Sequence, residues 1–394
     1  MQKQKISLNT SKILKTGFIT LILAVLLLPL YASIFNTAKP IHAHAPSTSA
    51  YGMTCVEVNT GRVLYQHNAH GRRAPASTTK IVTAIAVIEN TPDLSRVHKI
   101  PDSAVGVEGS SIYLARGEQL SVRDLLYGLM LQSGNDCAEA LALITSGSKE
   151  KFADLMNATA RKAGAKNSNF VTPHGLDAAH HYTTAYDLAM ISAYALKNPE
   201  FAQIVKTQKY TDAPYADRGY NRIITNKNRL LSSFEGCDGV KTGFTKKAGR
   251  CYVSSATRGD IQVVCAVLNC GPMFEDCARI METAFNEFSM QQVLSPREPL
   301  GHVNVSNSRT QRIACGVPES IRYPLTKDEA AQLQFKLNLP ESLSAPVKIG
   351  AEAGSIQVFM QNSLLFETKL YTIESADSLN LWDRLKDIAD KWSV

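Results

Sequence analysis

The chain has 394 residues, of which 44% are hydrophobic and 20% are charged, and it carries a formal net charge of +7. This composition excludes a disordered or collagen-like chain, and the length suits two folded domains. Five of the seven net positive charges are lysines in residues 1–45, and no dense stripe of Lys or Arg follows, so nothing supports nucleic-acid binding.

The N-terminal segment, residues 1–45, has the pattern of a targeting sequence. Lysines precede an apolar run from Gly17 to Phe35, and the small–x–small triplet Ala43-His44-Ala45 lies beyond it. The run is nearly long enough to span a bilayer. The segment is therefore interpreted either as a cleaved secretion signal or as a retained anchor. Both interpretations place the folded part of the protein outside the cytoplasm.

Residues 46–290 are predicted to form a first domain in which helices flank a sheet. A helix is expected from Ser77 onward, because apolar residues recur after it at spacings of three and four. Hairpins are expected at 51–66 and at 250–268, where β-rich runs surround short turn sequences. Further helices are predicted near 122–130, 136–143 and 274–290 and over most of 151–205, with a loop at 167–181.

The sequence pattern changes over residues 291–373. Short apolar runs alternate with Gly, Pro and Ser, which predicts a small all-β domain of the sandwich type. Residues 374–394 form a last predicted element, an amphipathic helix. It either packs on the body of the protein or lies on a membrane surface, although its polar face is not rich in Lys or Arg. Its apolar face carries Leu379, Trp382, Leu385, Ile388 and Trp392.

Eight cysteines leave three interpretations open. They are small buried hydrophobic residues, disulfide partners in an exported protein, or metal ligands. The spacing of Cys265, Cys270 and Cys277 lacks the paired C-x-x-C form of a zinc site. Cys137, close to the second motif described below, is interpreted as a buried core thiol.

Three short motifs occur in one order along the chain. They are Ser77-Thr78-Thr79-Lys80, Ser133-Gly134-Asn135 and Lys241-Thr242-Gly243. Each is weak alone; K-T-G, for example, also occurs at 15–17. Context selects this set, because Ser77 begins a long amphipathic helix and Lys241 precedes a β-hairpin.

The residue types of these motifs suit nucleophilic catalysis. A serine hydroxyl needs a base to take its proton, and helix positions i and i+3 face the same way, so Lys80 can reach Ser77. A lysine acts as a base only if its pKa falls, which burial and a second cation, Lys241, would cause. Ser133 and Asn135 would relay protons and hold the substrate amide.

The third motif is expected to bind the substrate. Lys241 and Thr242 would receive a terminal carboxylate of the substrate. Beyond Gly243, the backbone N–H of Phe244 would join the N–H of Ser77 in an oxyanion hole. This chemistry needs no metal ion and no organic cofactor.

The flanks of the motifs resemble the low-molecular-mass penicillin-binding proteins, the serine D-alanyl-D-alanine carboxypeptidases of the peptidase S11 family. The similar stretches are R-A-P-A-S-T-T-K-I-V-T-A-I-A-V-I at 73–88, L-Q-S-G-N-D at 131–136, T-P-H-G-L-D at 172–177 and D-G-V-K-T-G-F-T at 238–245. A family arginine upstream of K-T-G is here Lys227.

The resemblance implies an α/β (α+β) penicillin-binding or serine β-lactamase-like domain with an antiparallel sheet, a β-rich C-terminal domain and a membrane-binding terminal helix. It implies removal of the terminal D-alanine from peptidoglycan pentapeptide stems through an acyl-enzyme on Ser77, with β-lactam antibiotics acylating the same serine. It also implies a location at the outer face of the cytoplasmic membrane.

Three other functions share part of this pattern. A serine β-lactamase of class A uses a glutamate in an E-x-x-x-N pattern. None of the glutamates between the second and third motifs has asparagine four residues later; they are Glu139, Glu150, Glu200 and Glu235. A non-catalytic binder of wall peptides and an endopeptidase using the same mechanism remain alternatives. His174 and His181 are interpreted as loop histidines without a catalytic role.

Overall fold

The computed structural model of the chain describes residues 45–214 and 219–380, together with Trp382 and Leu385. The part of the chain up to residue 288 contains both strands and helices. The strands are β1 (Gly52–Glu57), β2 (Val63–His67), β3 (Val97–Lys99), β4 (Gln119–Ser121), β5 (Lys209–Tyr210), β6 (Ile224–Thr225), β7 (Cys237–Thr245), β8 (Gly249–Arg258) and β9 (Ile261–Leu268). The helices are α1 (Lys80–Asn90), α2 (Val122–Leu131), α3 (Asn135–Ser146), α4 (Lys149–Lys162), α5 (Ala185–Leu196), α6 (Pro199–Lys206), α7 (Leu230–Ser233) and α8 (Met273–Glu287).

A five-stranded antiparallel sheet forms the centre of this part, in the order β2-β1-β9-β8-β7. Side chains alternate between the faces of a strand, so β9 contributes to two separate cores. Val264 and Ala266 pack with the helices α1 to α6, whereas Cys265 and Val267 pack with α8. The predicted antiparallel sheet flanked by helices is therefore confirmed.

The predicted helix at Ser77 begins one turn later than the pattern indicates. A 3₁₀ turn spans Ala76–Thr79, and α1 starts at Lys80. The hydroxyl of Thr78 donates to the carbonyl of Pro75 (2.6 Å), and that of Thr79 donates to the carbonyl of Ala76 (2.9 Å). These local side-chain bonds compete with regular helical bonding and favour the tight turn. As a result, Ser77 lies just ahead of α1, at the edge of the sheet.

The second part of the chain is a β-domain. Its strands are β10 (Ser289–Leu294), β11 (Gly301–Ser306), β12 (Arg312–Gly316), β13 (Ile321–Leu325), β14 (Leu333–Asn338), β15 (Ser342–Ser344), β16 (Glu352–Met360) and β17 (Ser363–Thr372), and its short helix is α9 (Lys327–Ala330). A six-stranded sheet, β14-β16-β17-β12-β11-β15, faces a two-stranded sheet, β10-β13. The ring of Tyr323 on β13 packs against that of Phe366 on β17, with centroids 5.2 Å apart. The predicted all-β domain is confirmed, with a second sheet of only two strands.

The helix predicted over 274–290 ends earlier, at Glu287. Ser289 begins β10, whose pairing with β13 takes these residues into the second domain. Arg62, in the β1–β2 turn, joins the two parts. It donates to the carbonyl of Pro324, pairs with the carboxylate of Glu329, and lies 5.4 Å from the ring centroid of Tyr323.

The two predicted terminal segments lie largely outside the described residues. Of residues 1–45 only Ala45 is described, and of the predicted terminal helix only residues up to 380, Trp382 and Leu385. Trp382 and Leu385 are helical, and they are 80% and 47% exposed. Within the described ranges, no helix combines the length and the apolar content needed to cross a bilayer.

The eight cysteines are free thiols in this structure, and seven of them are buried. Cys137 is fully buried, as predicted for a core thiol, and burial raises its pKa well above the ordinary value. Cys55 and Cys265 lie opposite each other on β1 and β9. These residues therefore fill the interior as small hydrophobic side chains.

Candidate active site

Ser77 and Lys80 lie close together because one 3₁₀ turn separates them. Lys80 Nζ is 3.1 Å from Ser77 Oγ. The side chain of Lys80 is fully buried, whereas Ser77 is partly exposed. The structure thus brings together the nucleophile and the base predicted from the first motif.

The amine of Lys80 has three polar neighbours. Besides Ser77 Oγ, it donates to Asn135 Oδ1 (2.7 Å) and to the carbonyl of His174 (2.6 Å). These two oxygens can only accept hydrogen bonds, whereas a serine hydroxyl can also donate. A neutral amine, with two N–H bonds and one lone pair, matches this set: it donates to the two carbonyl oxygens and accepts from Ser77.

The electrostatics of the site favour that neutral form. Burial, followed by the positive charge of Lys241, lowers the pKa of Lys80 well below the usual value for lysine. Both effects disfavour the charged amine. Lys80 therefore has the surroundings of a general base.

The second motif lies where α2 ends and α3 begins. Ser133 is buried and has a positive φ of 65°, which turns the chain between the two helices. Asn135 is the first residue of α3, and its Nδ2 donates to the carbonyl of Glu108 (2.6 Å). Gly109 lies beside it, and a Cβ there would come within 2.6 Å of Asn135 Nδ2. The loop before β4 therefore fixes the amide whose oxygen binds Lys80.

The third motif lies on β7, the edge strand of the sheet. A Cβ on Gly243 would come within 2.8 Å of the Ser77 nitrogen, so only glycine allows the strand to approach the nucleophile this closely. Lys241 is 1% exposed, and its Nζ donates to the carbonyl of Thr242 (3.0 Å). Phe244, directly after the motif, is 63% exposed.

A third lysine, Lys227, completes a group of cations. Burial and then the charge of Lys227 lower the pKa of Lys241 to about 7. Lys227 Nζ donates to Ser110 Oγ (3.4 Å), and both residues line a cavity of about 520 Å³. Gln132, next to the second motif, lines the same cavity. Lys227 therefore provides positive charge at a cavity that adjoins the second motif, although Ser77, Lys80 and Lys241 are not among the residues that line it.

Two residues without a predicted role support the base. His174 Nε2 is 3.1 Å from Glu139 Oε1, and both side chains are nearly buried. Glu139 lies one helical turn after Asn135 on α3, so the pair connects the two elements that bind Lys80. The family-like stretch at 172–177 marks this loop, but no sequence pattern indicates that its histidine meets Glu139.

Gly175 explains how this loop can lie against the nucleophile. Its φ is +87°, and a Cβ would come within 1.9 Å of the carbonyl oxygen of Ala76. Any other residue would push the loop away from the 3₁₀ turn. His181 supports the turn from the other side, with its Nε2 2.9 Å from Thr79 Oγ1.

The predicted site residues thus differ in what they contact. Ser77, Lys80 and Asn135 form one hydrogen-bonded set, and Gly243 lies against it. In the part of the chain that the structure describes, the side chains of Ser133, Thr242 and Phe244 make no hydrogen bond to Ser77 or Lys80. The described residues also contain no cluster of three or more His, Cys, Asp or Glu that could hold a metal ion.

Comparison with known proteins gives a consistent result. Residues 39–271 match the model of the peptidase S11 family, D-alanyl-D-alanine carboxypeptidase, and residues 288–378 match that of the C-terminal domain of penicillin-binding protein 5. The D-alanyl-D-alanine carboxypeptidase DacC of Escherichia coli is 32% identical over 362 residues, covering 87% of this chain and 88% of the relative. DacF of Bacillus subtilis is 28% identical over 383 residues, covering 95% and 98%.

Solved structures show the same relationship. Penicillin-binding protein 5 of Haemophilus influenzae superposes with a TM-score of 0.72 at 26% identity, covering 84% of this chain and 99% of that structure. The similarity therefore extends through both domains.

Proposed function

This chain belongs to the D-alanyl-D-alanine carboxypeptidase family of serine peptidases, peptidase S11, and from that premise we propose how its residues share the reaction. The protein is a serine DD-carboxypeptidase of peptidoglycan metabolism, and it binds penicillin. We propose Ser77, Lys80, Ser133 and Asn135 as the catalytic residues. We propose Lys241, Thr242, Gly243 and Phe244 as the residues that bind the substrate. The contact between Lys80 Nζ and Ser77 Oγ, inside a pocket that favours a neutral amine, is the observation that carries this proposal.

The first half-reaction transfers the peptide to Ser77. Lys80 takes the hydroxyl proton as Ser77 Oγ attacks the carbonyl carbon of the penultimate D-alanine. The N–H groups of Ser77 and Phe244 stabilise the oxyanion. The C–N bond then breaks, and the departing amine of the terminal D-alanine receives the proton from Lys80, through Ser133 or directly. An ester on Ser77 remains.

The second half-reaction releases the shortened peptide. A water molecule occupies the position of the lost D-alanine, and Lys80 accepts its proton while the oxygen attacks the ester. The ester C–O bond breaks and Ser77 regains its proton. A β-lactam follows the first half-reaction only in part, because opening of its ring leaves the departing nitrogen attached to the acyl group.

Penicillin and a peptide ending in D-Ala-D-Ala test this function on the same preparation. We expect a stable covalent adduct on the protein, measured by intact-mass spectrometry, together with release of D-alanine from the peptide. An adduct that clears within seconds with the peptide intact would indicate a β-lactamase. Absence of both adduct and D-alanine would leave a non-catalytic binder of wall peptides.

The lysine group predicts the pH dependence of the reaction. Lys241 attracts the substrate carboxylate only while protonated, so we expect kcat/KM to fall as the pH rises through about 7. Changing Lys227 to Gln removes a neighbouring positive charge and so raises the pKa of Lys241. The fall of kcat/KM on the alkaline side, the alkaline limb of the pH profile, should then occur at a pH higher by roughly half a unit or more. Lys227→Arg keeps the charge and should leave the limb in place. Identical limbs in all three proteins would mean that Lys241 does not set it.

The enzyme acts on the cell wall outside the cytoplasm, and we propose that its C-terminal segment binds the outer face of the cytoplasmic membrane. The exposed apolar side chains of Trp382 and Leu385 support this proposal, because interfacial helices insert such residues among lipid headgroups. We expect the double change Trp382→Ser, Leu385→Ser to reduce co-sedimentation of the purified protein with anionic lipid vesicles several-fold. Unchanged co-sedimentation would contradict the proposal. The penicillin adduct should form normally in this variant.

A further inference from the structure

A second cleft lies next to the segment that leads into Ser77. It has a volume of about 290 Å³ and is lined by Arg72, Arg73, Ala74, Ala178, His180, His181, Tyr182 and Lys247. We call it the basic cleft. Arg73 precedes Ser77 by four residues, so their Cα atoms are at most about 14 Å apart. Lys247 lies in the turn between β7 and β8, four residues after Gly243. Two of the segments that carry the predicted site residues therefore extend into the basic cleft.

The basic cleft is rich in positive charge that the described residues do not neutralise. Within the described ranges, Arg72, Arg73 and Lys247 have no carboxylate within ion-pairing distance. Two acids lie near this lining and are bonded to other groups. Asp177 Oδ1 accepts a hydrogen bond from Thr245 (3.2 Å), and Asp187 Oδ2 accepts one from the backbone N–H of Asn167 (2.6 Å). Positive charge concentrated in a cleft with so little compensation attracts an anion.

The guanidinium groups of Arg72 and Arg73 lie against aromatic rings but make few hydrogen bonds. Arg72 lies 4.7 Å from the ring centroid of Tyr182, and its Nη2 makes one long hydrogen bond, 3.4 Å, to Asn167 Oδ1. Arg73 lies 4.6 Å from the ring of Tyr51, and its Nε is buried without a hydrogen-bond partner. Stacking on an aromatic ring leaves the edge of a guanidinium free to donate. A buried N–H without a partner indicates that an acceptor is missing.

His181 is a neutral part of the lining of the basic cleft. Its Nδ1 accepts hydrogen bonds from the backbone N–H groups of Val171 (2.9 Å) and Thr172 (3.2 Å), so its proton lies on Nε2, next to Thr79 Oγ1. Burial, and then His174, lower its pKa to about 4. The wall of the basic cleft is thereby bonded to the turn that carries Ser77.

We propose that the basic cleft binds a carboxylate of the peptidoglycan stem on the acyl side of the scissile bond, an inference that rests on the proposed function. The stem carries a γ-linked D-glutamate two residues before the penultimate D-alanine, and its α-carboxylate is free unless amidated. Two extended residues span about 7 Å, and the γ linkage and the arginine side chains add further reach. A stem lying along β7, from Gly243 toward Lys247, brings this carboxylate to Arg72 and Lys247.

The test compares stem peptides that differ only in charge. The purified full-length protein is given L-Ala-γ-D-Glu-L-Lys-D-Ala-D-Ala, the same peptide amidated at the D-glutamate, and diacetyl-L-Lys-D-Ala-D-Ala. We expect kcat/KM at low ionic strength to be about five- to twentyfold higher for the acidic peptide than for its amide, as for a charge-assisted Arg–carboxylate contact. A fourth peptide, amidated but with diaminopimelate in place of lysine, shows whether the carboxylate of the third residue uses the same cleft.

Arg72→Gln, Lys247→Gln is the informative variant, because both side chains are exposed and Arg73 stays intact. We expect it to lose most of the preference for the acidic peptide. Release of D-alanine from the diacetylated tripeptide and the rate of penicillin acylation should not change. Lys336→Gln, an exposed lysine on β14 of the second domain, is the matched control and should keep the preference.

The possible outcomes are distinguishable. The carboxylate site would be overturned if the double variant kept the preference for the acidic peptide. It would also be overturned if the native protein showed no preference for any charged stem peptide. Either result would leave the carboxypeptidase function intact. Release of D-alanine from none of the peptides would overturn the proposed function and this inference with it. If the native protein prefers the diaminopimelate peptide instead, the result would support the site and would identify the third residue of the stem as the source of the carboxylate.

Discussion

We expect replacement of Ser77 by alanine to abolish both release of D-alanine and covalent binding of penicillin. Among the described residues, Ser77 supplies the one oxygen within 3.1 Å of Lys80 Nζ that can be deprotonated and attack a carbonyl carbon. Loss of the catalytic nucleophile costs a serine hydrolase about 10⁶-fold in kcat. We expect a decrease of at least about 10⁴-fold, measured as D-alanine released per mole of enzyme.

The design of this experiment separates catalysis from folding. Ser77 is partly exposed and contributes little packing, so the variant should unfold at nearly the same temperature as the native protein. Ser363→Ala, at an exposed position where β17 begins, is the matched control and should retain full activity. A penicillin adduct of unchanged mass and rate on the Ser77→Ala protein would show that another residue is the nucleophile.

Changing Lys80 to methionine should slow penicillin acylation and D-alanine release by about 10²-fold to 10⁴-fold, the usual contribution of a general base. Methionine preserves the length of the side chain but cannot accept the proton of Ser77. It also leaves Asn135 Oδ1 and the carbonyl of His174 without their donor. An unsatisfied buried acceptor costs about 1–3 kcal/mol, so the free energy of unfolding should fall as well.

Lys80→Arg distinguishes a base from a fixed positive charge. Arginine keeps the charge and the ability to donate, but it does not lose its proton near neutral pH. We expect this variant to be about as inactive as Lys80→Met. Substantial acylation by the arginine variant, measured by fluorescent penicillin under single-turnover conditions, would mean that Lys80 acts through its charge and that another group takes the proton.

Sequence patterns predicted the parts of the site that depend on local spacing. Ser77 and Lys80 are three residues apart, and one turn of chain is enough to bring them together. The alternation of β9 and the apolar face of α1 likewise follow from residue periodicity. No local spacing predicts that Lys241 lies near Ser77; that expectation depends on the resemblance of four separated stretches to one family.

The remaining features depend on contacts that no local pattern encodes. His174 was interpreted as a loop histidine, yet its carbonyl binds Lys80 and its ring meets Glu139, 35 residues earlier in the chain. The 3₁₀ turn before α1 arises from threonine hydroxyls that a helical pattern does not distinguish from ordinary helix positions. The end of α8 at Glu287 is set by the pairing of β10 with β13, which is a tertiary effect.

The three polar neighbours of Lys80 have a consequence for how the enzyme becomes active during folding. Ser77 lies in the same turn as Lys80, but Asn135 lies 55 residues away and His174 lies 94 residues away. Loops of such length close late, because their entropy is lost before the contacts form. A chain with α1 already formed therefore still has an exposed, protonated and inactive lysine. Reactivity toward penicillin thus reports completed tertiary assembly, and the rate at which refolding chains acquire a label measures the last step of that assembly.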